Sequence, residues 1–242
     1  MEIRNAGVLV TGASRGLGLE LSRALARRGA KVVMVARGAS ELDAAVHAVR
    51  KDAQASGLGG EAHGLAFDVG EKEAVHRIAG AAAALVSPID IVVHAASTLG
   101  PLPMPLLLDT ECEDLQRVLD VNLLGPFRLT KALAGPMVLR ERGLVVFVSS
   151  DAAVSAYPNW GAYGVSKAAQ DHLARTFGAE QGPVRFIAVD PGEMDTKMHA
   201  DAIPDADRAT LQRPADVAAK IVKILESDVA SGARLSVPSW AS

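Results

Sequence analysis

Eight residues, Thr11-Gly12-Ala13-Ser14-Arg15-Gly16-Leu17-Gly18, constrain what this chain can fold into more than any other stretch. They follow the apolar run Val8-Leu9-Val10 and open a segment in which Leu17, Leu21, Ala24 and Leu25 recur at helical spacing, so they form a strand-to-helix turn. Glycine has no Cβ. Gly12 can therefore take a tight turn, and Gly16 and Gly18 let backbone and helix approach a bulky anion and the neighbouring strand. The first amides of the helix and the positive end of its dipole suit a pyrophosphate. A strand before, a helix after and three glycines at this spacing make Gly12, Ser14, Arg15, Gly16, Leu17 and Gly18 candidates for holding a dinucleotide.

The next strand, Lys31 to Val35, is apolar on both alternating faces, as a parallel strand covered by helices should be. It ends at Ala36-Arg37, beside the adenosine ribose in folds of this kind, where an acidic residue would favour NAD. Here there is no carboxylate, and Arg37, joined by Arg15 from the glycine turn, can pair with a 2′-phosphate. The cofactor expected is NADP(H).

Helical spacing returns at Leu42, Ala45, Val46 and Val49, then a strand from His63 to Phe67, a helix through Val75, Ile78, Ala79 and Ala82, and a strand from Ile89 to Val93. This alternation predicts an α/β Rossmann-type fold: one doubly wound domain, 1–242, with a parallel sheet of about seven strands and helices on both faces. Ligands then belong at the carboxyl ends of the strands. Further strands are expected at Leu144 to Val148, Val184 to Val189 and Leu235 to Val237. Thr110-Glu111-Cys112-Glu113 reads as a capping box opening a long helix that Gly125-Pro126 bends or interrupts just after Asn122. His94 reads as a buried imidazole hydrogen-bonded to backbone.

At 242 residues and 49% apolar composition the chain can bury a large core. A net charge of -3 without a basic run leaves no electrostatic footprint for nucleic acid. The single cysteine, Cys112, allows neither an intrachain disulfide nor a cysteine metal cluster, and no metal is expected. There is no apolar signal region and no apolar stretch of about 20 residues, so a soluble cytoplasmic protein with no membrane partner is expected.

The remaining motifs converge on chemistry. Ser150 closes the strand that ends at Val148, Tyr163 comes thirteen residues later, and Lys167 four after that, on the same helical face. Together with Thr11-Gly12-x-x-x-Gly16-x-Gly18 and Val121-Asn122-Leu123, the Tyr163-x-x-x-Lys167 segment resembles the short-chain dehydrogenase/reductase family along essentially the whole chain. Within it the chain resembles NADP(H)-dependent carbonyl and 3-oxoacyl reductases. The resemblance implies a hydride transfer between NADP(H) and a small-molecule carbonyl or secondary alcohol. Tyr163 would be general acid/base, Ser150 would hydrogen-bond the reacting oxygen, Lys167 would lower the phenol pKa and hold the ribose, and Asn122 would position a water. A free phenol has a pKa of about 10, and bringing it to about 7 takes roughly 4 kcal/mol of phenolate stabilisation. The resemblance also assigns Asp68-Val69 to the adenine, though Asp68 can equally cap a turn ahead of Glu71. It assigns Ala95 and Ala96 to the cofactor, Pro191, Gly192 and Thr196 to the nicotinamide carboxamide, and 198–212 to a substrate lid. It implies a homotetramer or homodimer. One stretch departs from the family: His94-Ala95-Ala96-Ser97 stands where Asn-Asn-Ala-Gly is usual. That departure sustains an alternative, an NADP(H)-binding regulatory protein of the same fold whose catalysis has lapsed.

Overall fold

The computed structural model describes residues 1–240; Ala241 and Ser242, the end of the expected 1–242 domain, lie outside the described residues. Seven strands form one sheet: β1 (Gly7–Thr11), β2 (Lys31–Ala36), β3 (Glu61–Ala66), β4 (Ile89–His94), β5 (Leu144–Val148), β6 (Arg185–Asp190) and β7 (Arg234–Ser236). Their order is β3-β2-β1-β4-β5-β6-β7 and every pairing is parallel. The chain therefore reverses its direction of progress between β3 and β4, and β1 lies between β2 and β4.

Alternation within each strand divides the core between the two faces of the sheet. Val8, Val10, Val32, Met34 and Val146 point into one layer with Leu21 and Leu25 of α1 (Gly16–Ala26), Leu42 and Val46 of α2 (Ala39–Ser56), and Ile221 and Leu225 of α8 (Pro214–Glu226). Leu9, Val33, Val35, Val145 and Phe147 point into the other. There they meet Ile78 of α3 (Ala74–Leu85), Leu129 and Leu133 of α5 (Gly125–Leu139), and Ala174 of α6 (Gly161–Glu180). Burying each such side chain contributes about 1.5 to 3 kcal/mol, and the runs that are apolar on both faces are the ones that need cover on both. β3 lies at an edge and is only half covered, and it runs two residues earlier at its start than the sequence suggests.

The expected capping box does not form. A tight turn at Leu107–Asp109 precedes α4 (Cys112–Leu119), and the Thr110 hydroxyl closes that turn by donating to the Leu106 carbonyl. Glu111 takes the N-cap position without a side-chain cap bond. The interruption of the long helix is a π-helical segment, Asp120–Leu124, that holds Asn122 itself; Pro126 then fits the first turn of α5. No helix among the described residues is long and apolar enough to cross a membrane, and no group of metal-ligating side chains occurs among them.

Candidate active site

The reversal between β3 and β4 leaves a cleft of ≈ 1090 Å³ over the carboxyl ends of the strands, bordered by the loops after β1, β2, β3, β4, β5 and β6. Gly12, Ser14, Arg15, Gly16, Leu17, Gly18, Arg37, Asp68, Val69, Ala95, Ala96, Ser150, Tyr163, Lys167, Pro191, Gly192 and Thr196 all border it. Asn122 does not.

The glycine turn makes one end. Gly12 has φ +67°, and a Cβ there would come within 2.7 Å of the Ala96 backbone; a Cβ on Gly18 would run into the Gly12 carbonyl. Arg15 is the N-cap of α1 with extended backbone, and no side chain caps the helix. The first amides of α1 are thus left for an anion lying in a cradle that side chains would fill, so the residues present fit a dinucleotide pyrophosphate. The Thr11 hydroxyl accepts from the amides of Ala95 (3.2 Å) and Ala96 (3.1 Å), tying the glycine turn to the loop after β4. At the far edge, Arg37 is largely exposed and its Nη1 is 3.9 Å from an Asp68 oxygen. The other Asp68 oxygen accepts from the Gly70 amide at 2.9 Å. Asp68 is therefore a turn-capping residue that also borders the cleft. Glu20 and Glu41 border this end as well.

At the other end Tyr163 is 8% exposed in the first turn of α6. Lys167, one turn on, places Nζ 5.5 Å from the centre of the Tyr163 ring and donates to the Val148 carbonyl (2.7 Å) and Gln170 Oε1 (3.2 Å). Burial pushes the phenol up to about 12, with the Ser150 hydroxyl pulling it part of the way back, Asp151 and Asp190 pushing it further, and the Ser97 hydroxyl lowering it a little. Burial brings Lys167 down to about 8, opposed by Asp171. In the chain alone, burial is thus the largest influence on the phenol and keeps it protonated.

Ser150 is held on three sides. Its hydroxyl accepts from the Ala152 amide (3.2 Å) and donates to Asp151 Oδ1 (2.9 Å), while its carbonyl accepts from Arg234 Nη2 (2.9 Å). The same guanidinium binds Asp190 (3.1 Å) and Asp171 (2.8 Å), two carboxylates less than a tenth exposed. Tyr157 donates to the other Asp151 oxygen at 2.9 Å. Trp160 meets Tyr163 edge-on at 5.7 Å, and Leu99, Met198 and Ala202 complete an apolar wall around the phenol. Gly192 has φ +73° and donates its amide to Asp190, and Thr196 caps α7 (Lys197–Ala202), which gives the expected lid a helical start.

Asn122 is fully buried in the π segment. Its Nδ2 donates to the Thr98 carbonyl and the Ser166 hydroxyl, both at 2.9 Å, and its Oδ1 accepts from the Thr98 amide at 2.8 Å. The side chain fastens the loop after β4 to α6. His94 bonds the Thr130 hydroxyl at 2.9 Å rather than backbone and stacks on Phe147; burial brings it down to about 3, so it stays neutral. Thr11, Ser97, Asp151, Ser166 and Arg234 were not singled out as site residues by the sequence. Thr11 stands in the glycine motif, Ser97 in the departing stretch, and Asp151 and Ser166 each adjoin a motif residue, whereas Arg234 carried no local signal.

Residues 6–207 match the family described as short chain dehydrogenase. A short chain dehydrogenase of Pseudocercospora fijiensis is 32% identical over 91% of this chain and 76% of its own length. A Shigella flexneri protein described as a short chain dehydrogenase and solved with NADP superposes with TM-score 0.87 at 27% identity, covering 98% of this chain and 99% of that one. A xylitol dehydrogenase solved with NAD+ shares the fold at TM-score 0.83 and 24% identity, covering 98% of each chain.

Proposed function

Since the chain belongs to the short-chain dehydrogenase family, we propose that it is an NADP(H)-dependent oxidoreductase acting on the carbonyl of a small molecule or the corresponding secondary alcohol. The observation that carries the reading is the placement of Tyr163, Lys167 and Ser150 together beside a dinucleotide-shaped cleft. When bound, the nicotinamide supplies or takes up the hydride. Tyr163, kept protonated by burial, gives its proton to the substrate oxygen during reduction and recovers one in the reverse direction. Lys167 holds positive charge beside the ring as negative charge develops on the phenol, and is the residue that would hold the ribose hydroxyls of a bound cofactor. Leu99, Trp160 and Met198 exclude water from the reacting carbon. Preference for the 2′-phosphate rests on Arg15 and Arg37 bordering the cleft where Ala36 supplies no carboxylate. The family fold accommodates NADP in one solved relative and NAD+ in another, so this chain's own cations carry that part of the reading.

The test is a panel of ketones and aldehydes reduced with NADPH or NADH, with cofactor affinity read by fluorescence. NADPH should bind at least tenfold more tightly than NADH, since charge-assisted bonds contribute about 1.5 to 3 kcal/mol each. Tyr163→Phe should bind NADPH within a few-fold of the parent while turnover falls by about two to four orders of magnitude. Full turnover by that variant would sink the mechanism, and tight NADPH binding with no reduction across the panel would favour the regulatory alternative.

A further inference from the structure

A single guanidinium on the short edge strand β7 reaches three elements that carry the site. Arg234 Nε donates to Asp171 of α6 at 2.8 Å, and its Nη2 donates both to Asp190 at the end of β6 (3.1 Å) and to the Ser150 carbonyl after β5 (2.9 Å). Asp171 stands one turn beyond Lys167 on α6, and Asp190 holds the Pro191-Gly192 turn by accepting the Gly192 amide at 3.0 Å. The two carboxylates are 5% and 8% exposed, and neither has another cation in ion-pair contact among the described residues. The second Asp171 oxygen is buried with no hydrogen-bond partner among them. Two carboxylates buried this close to a reacting phenol are unfavourable unless a cation compensates them. Around the phenol itself, the Lys167 ammonium lies 5.5 Å from the ring centre, Asp151 and Asp190 oppose negative charge on it, and the Ser150 and Ser97 hydroxyls favour it. Leu99, Trp160 and, from α7, Met198 and Ala202 are the apolar side chains packed around it.

We propose that Arg234 is a positioning residue for the reaction: it fixes the strand end that presents Ser150 and shields Tyr163 from the Asp190 charge. The inference rests on the oxidoreductase reading above and deepens it with a residue that does not border the cleft and acts only through its neighbours. In the oxidative direction the alcohol gives its proton to the Tyr163 phenolate while its hydride goes to NADP+. An uncompensated carboxylate at Asp190 disfavours that phenolate, so without Arg234 the rate rises only at higher pH.

The experiment measures kcat and KM for NADP+-dependent oxidation of the alcohol of the best panel substrate across pH, with NADPH affinity read by fluorescence. Arg234→Met should keep KM and NADPH affinity within about threefold of the parent, while the midpoint of the rise in kcat moves up by about one pH unit, about a tenfold loss of kcat below it. Adding Asp190→Asn, which keeps the oxygen that accepts from Gly192 but not the charge, should bring the midpoint back to the parent's. Arg234→Lys, whose ammonium lacks the planar fork that meets both carboxylates, should lie between. An Arg234→Met protein with the parent's kcat and midpoint would overturn the proposal, and so would a shifted midpoint that Asp190→Asn leaves where it is. A purely structural role would lower the active fraction without moving the midpoint, which also counts against it. Should Arg234→Met not fold, Arg234→Lys decides: a parental midpoint there rejects the shielding role. In each of these cases a crippled Tyr163→Phe leaves the oxidoreductase reading standing, whereas a parent protein with no turnover in either direction removes both.

Discussion

Single residues here are set by what surrounds them more than by what they are. His94 is a base made unavailable: its imidazole stays neutral to about pH 3, against 6.5 in water. Between those values the unfolded chain binds a proton that the folded chain refuses, so stability falls as pH drops through 6.5, by up to about 1.4 kcal/mol per pH unit. His94→Asn keeps a polar partner for Thr130 and does not titrate. Urea unfolding between about pH 7 and pH 5 should show a shallower loss for this variant than for the parent. Identical slopes would mean that the imidazole is not buried as described. The residues legible in the sequence were those tied to a local rule. Gly12 and Gly18 are demanded by the turn, and Tyr163 and Lys167 by the helical repeat. Arg234 was invisible because its partners Asp171 and Asp190 lie 63 and 44 residues away and no local pattern joins them. The state of Ser150 was hidden for a nearer reason: nothing in a list of residue types says that its proton is already given to Asp151.

Elements were legible to the extent that a period of two or of 3.6 governs them. The break after α4 was expected from Gly125-Pro126, but its form was not, because a π turn arises from tertiary demand and has no period to read. A Cβ on Gly125 would come within 2.5 Å of the Val69 carbonyl, so the start of α5 presses against the turn at Asp68 and Val69 that borders the cleft. The π segment also turns Asn122 inward, where one side chain joins the loop after β4 to α6. Asn122→Ala would leave the part-buried Thr98 amide and carbonyl without their partners, at a cost of about 1 to 3 kcal/mol. Urea unfolding should report that loss. Because the same loop carries Ala95 to Ser97, NADPH affinity should weaken as well. A variant that unfolds at the parent's midpoint would show that the three bonds contribute nothing net. The failed capping box belongs at this scale too: Thr110 fits the motif, yet the tight turn at Leu107–Asp109 claims its hydroxyl first.

For the whole molecule, the alternation of strand and helix was enough to give the class and the number of strands. Strand order needed the structure, since sequence marks where strands are and not which neighbours they take. Assembly is a further expectation at this scale. Leu139 of α5 is 88% exposed and Val165 of α6 is 51% exposed, apolar side chains on the two helices that we expect to pair between copies. Light scattering at micromolar protein should return two or four times the chain mass of 25.1 kDa, and a monomer mass would refute it. The strand order has a consequence for how the molecule comes into being. β1 is made first but sits in the middle of the sheet, with β2 on one side and β4 on the other. A nascent chain therefore carries β1 with one bare, apolar edge throughout the synthesis of α2, β3 and α3, until Ile89–His94 follows. An unpaired edge of that kind is a template for other chains, so the interval before β4 arrives is when this protein is most exposed to misassembly.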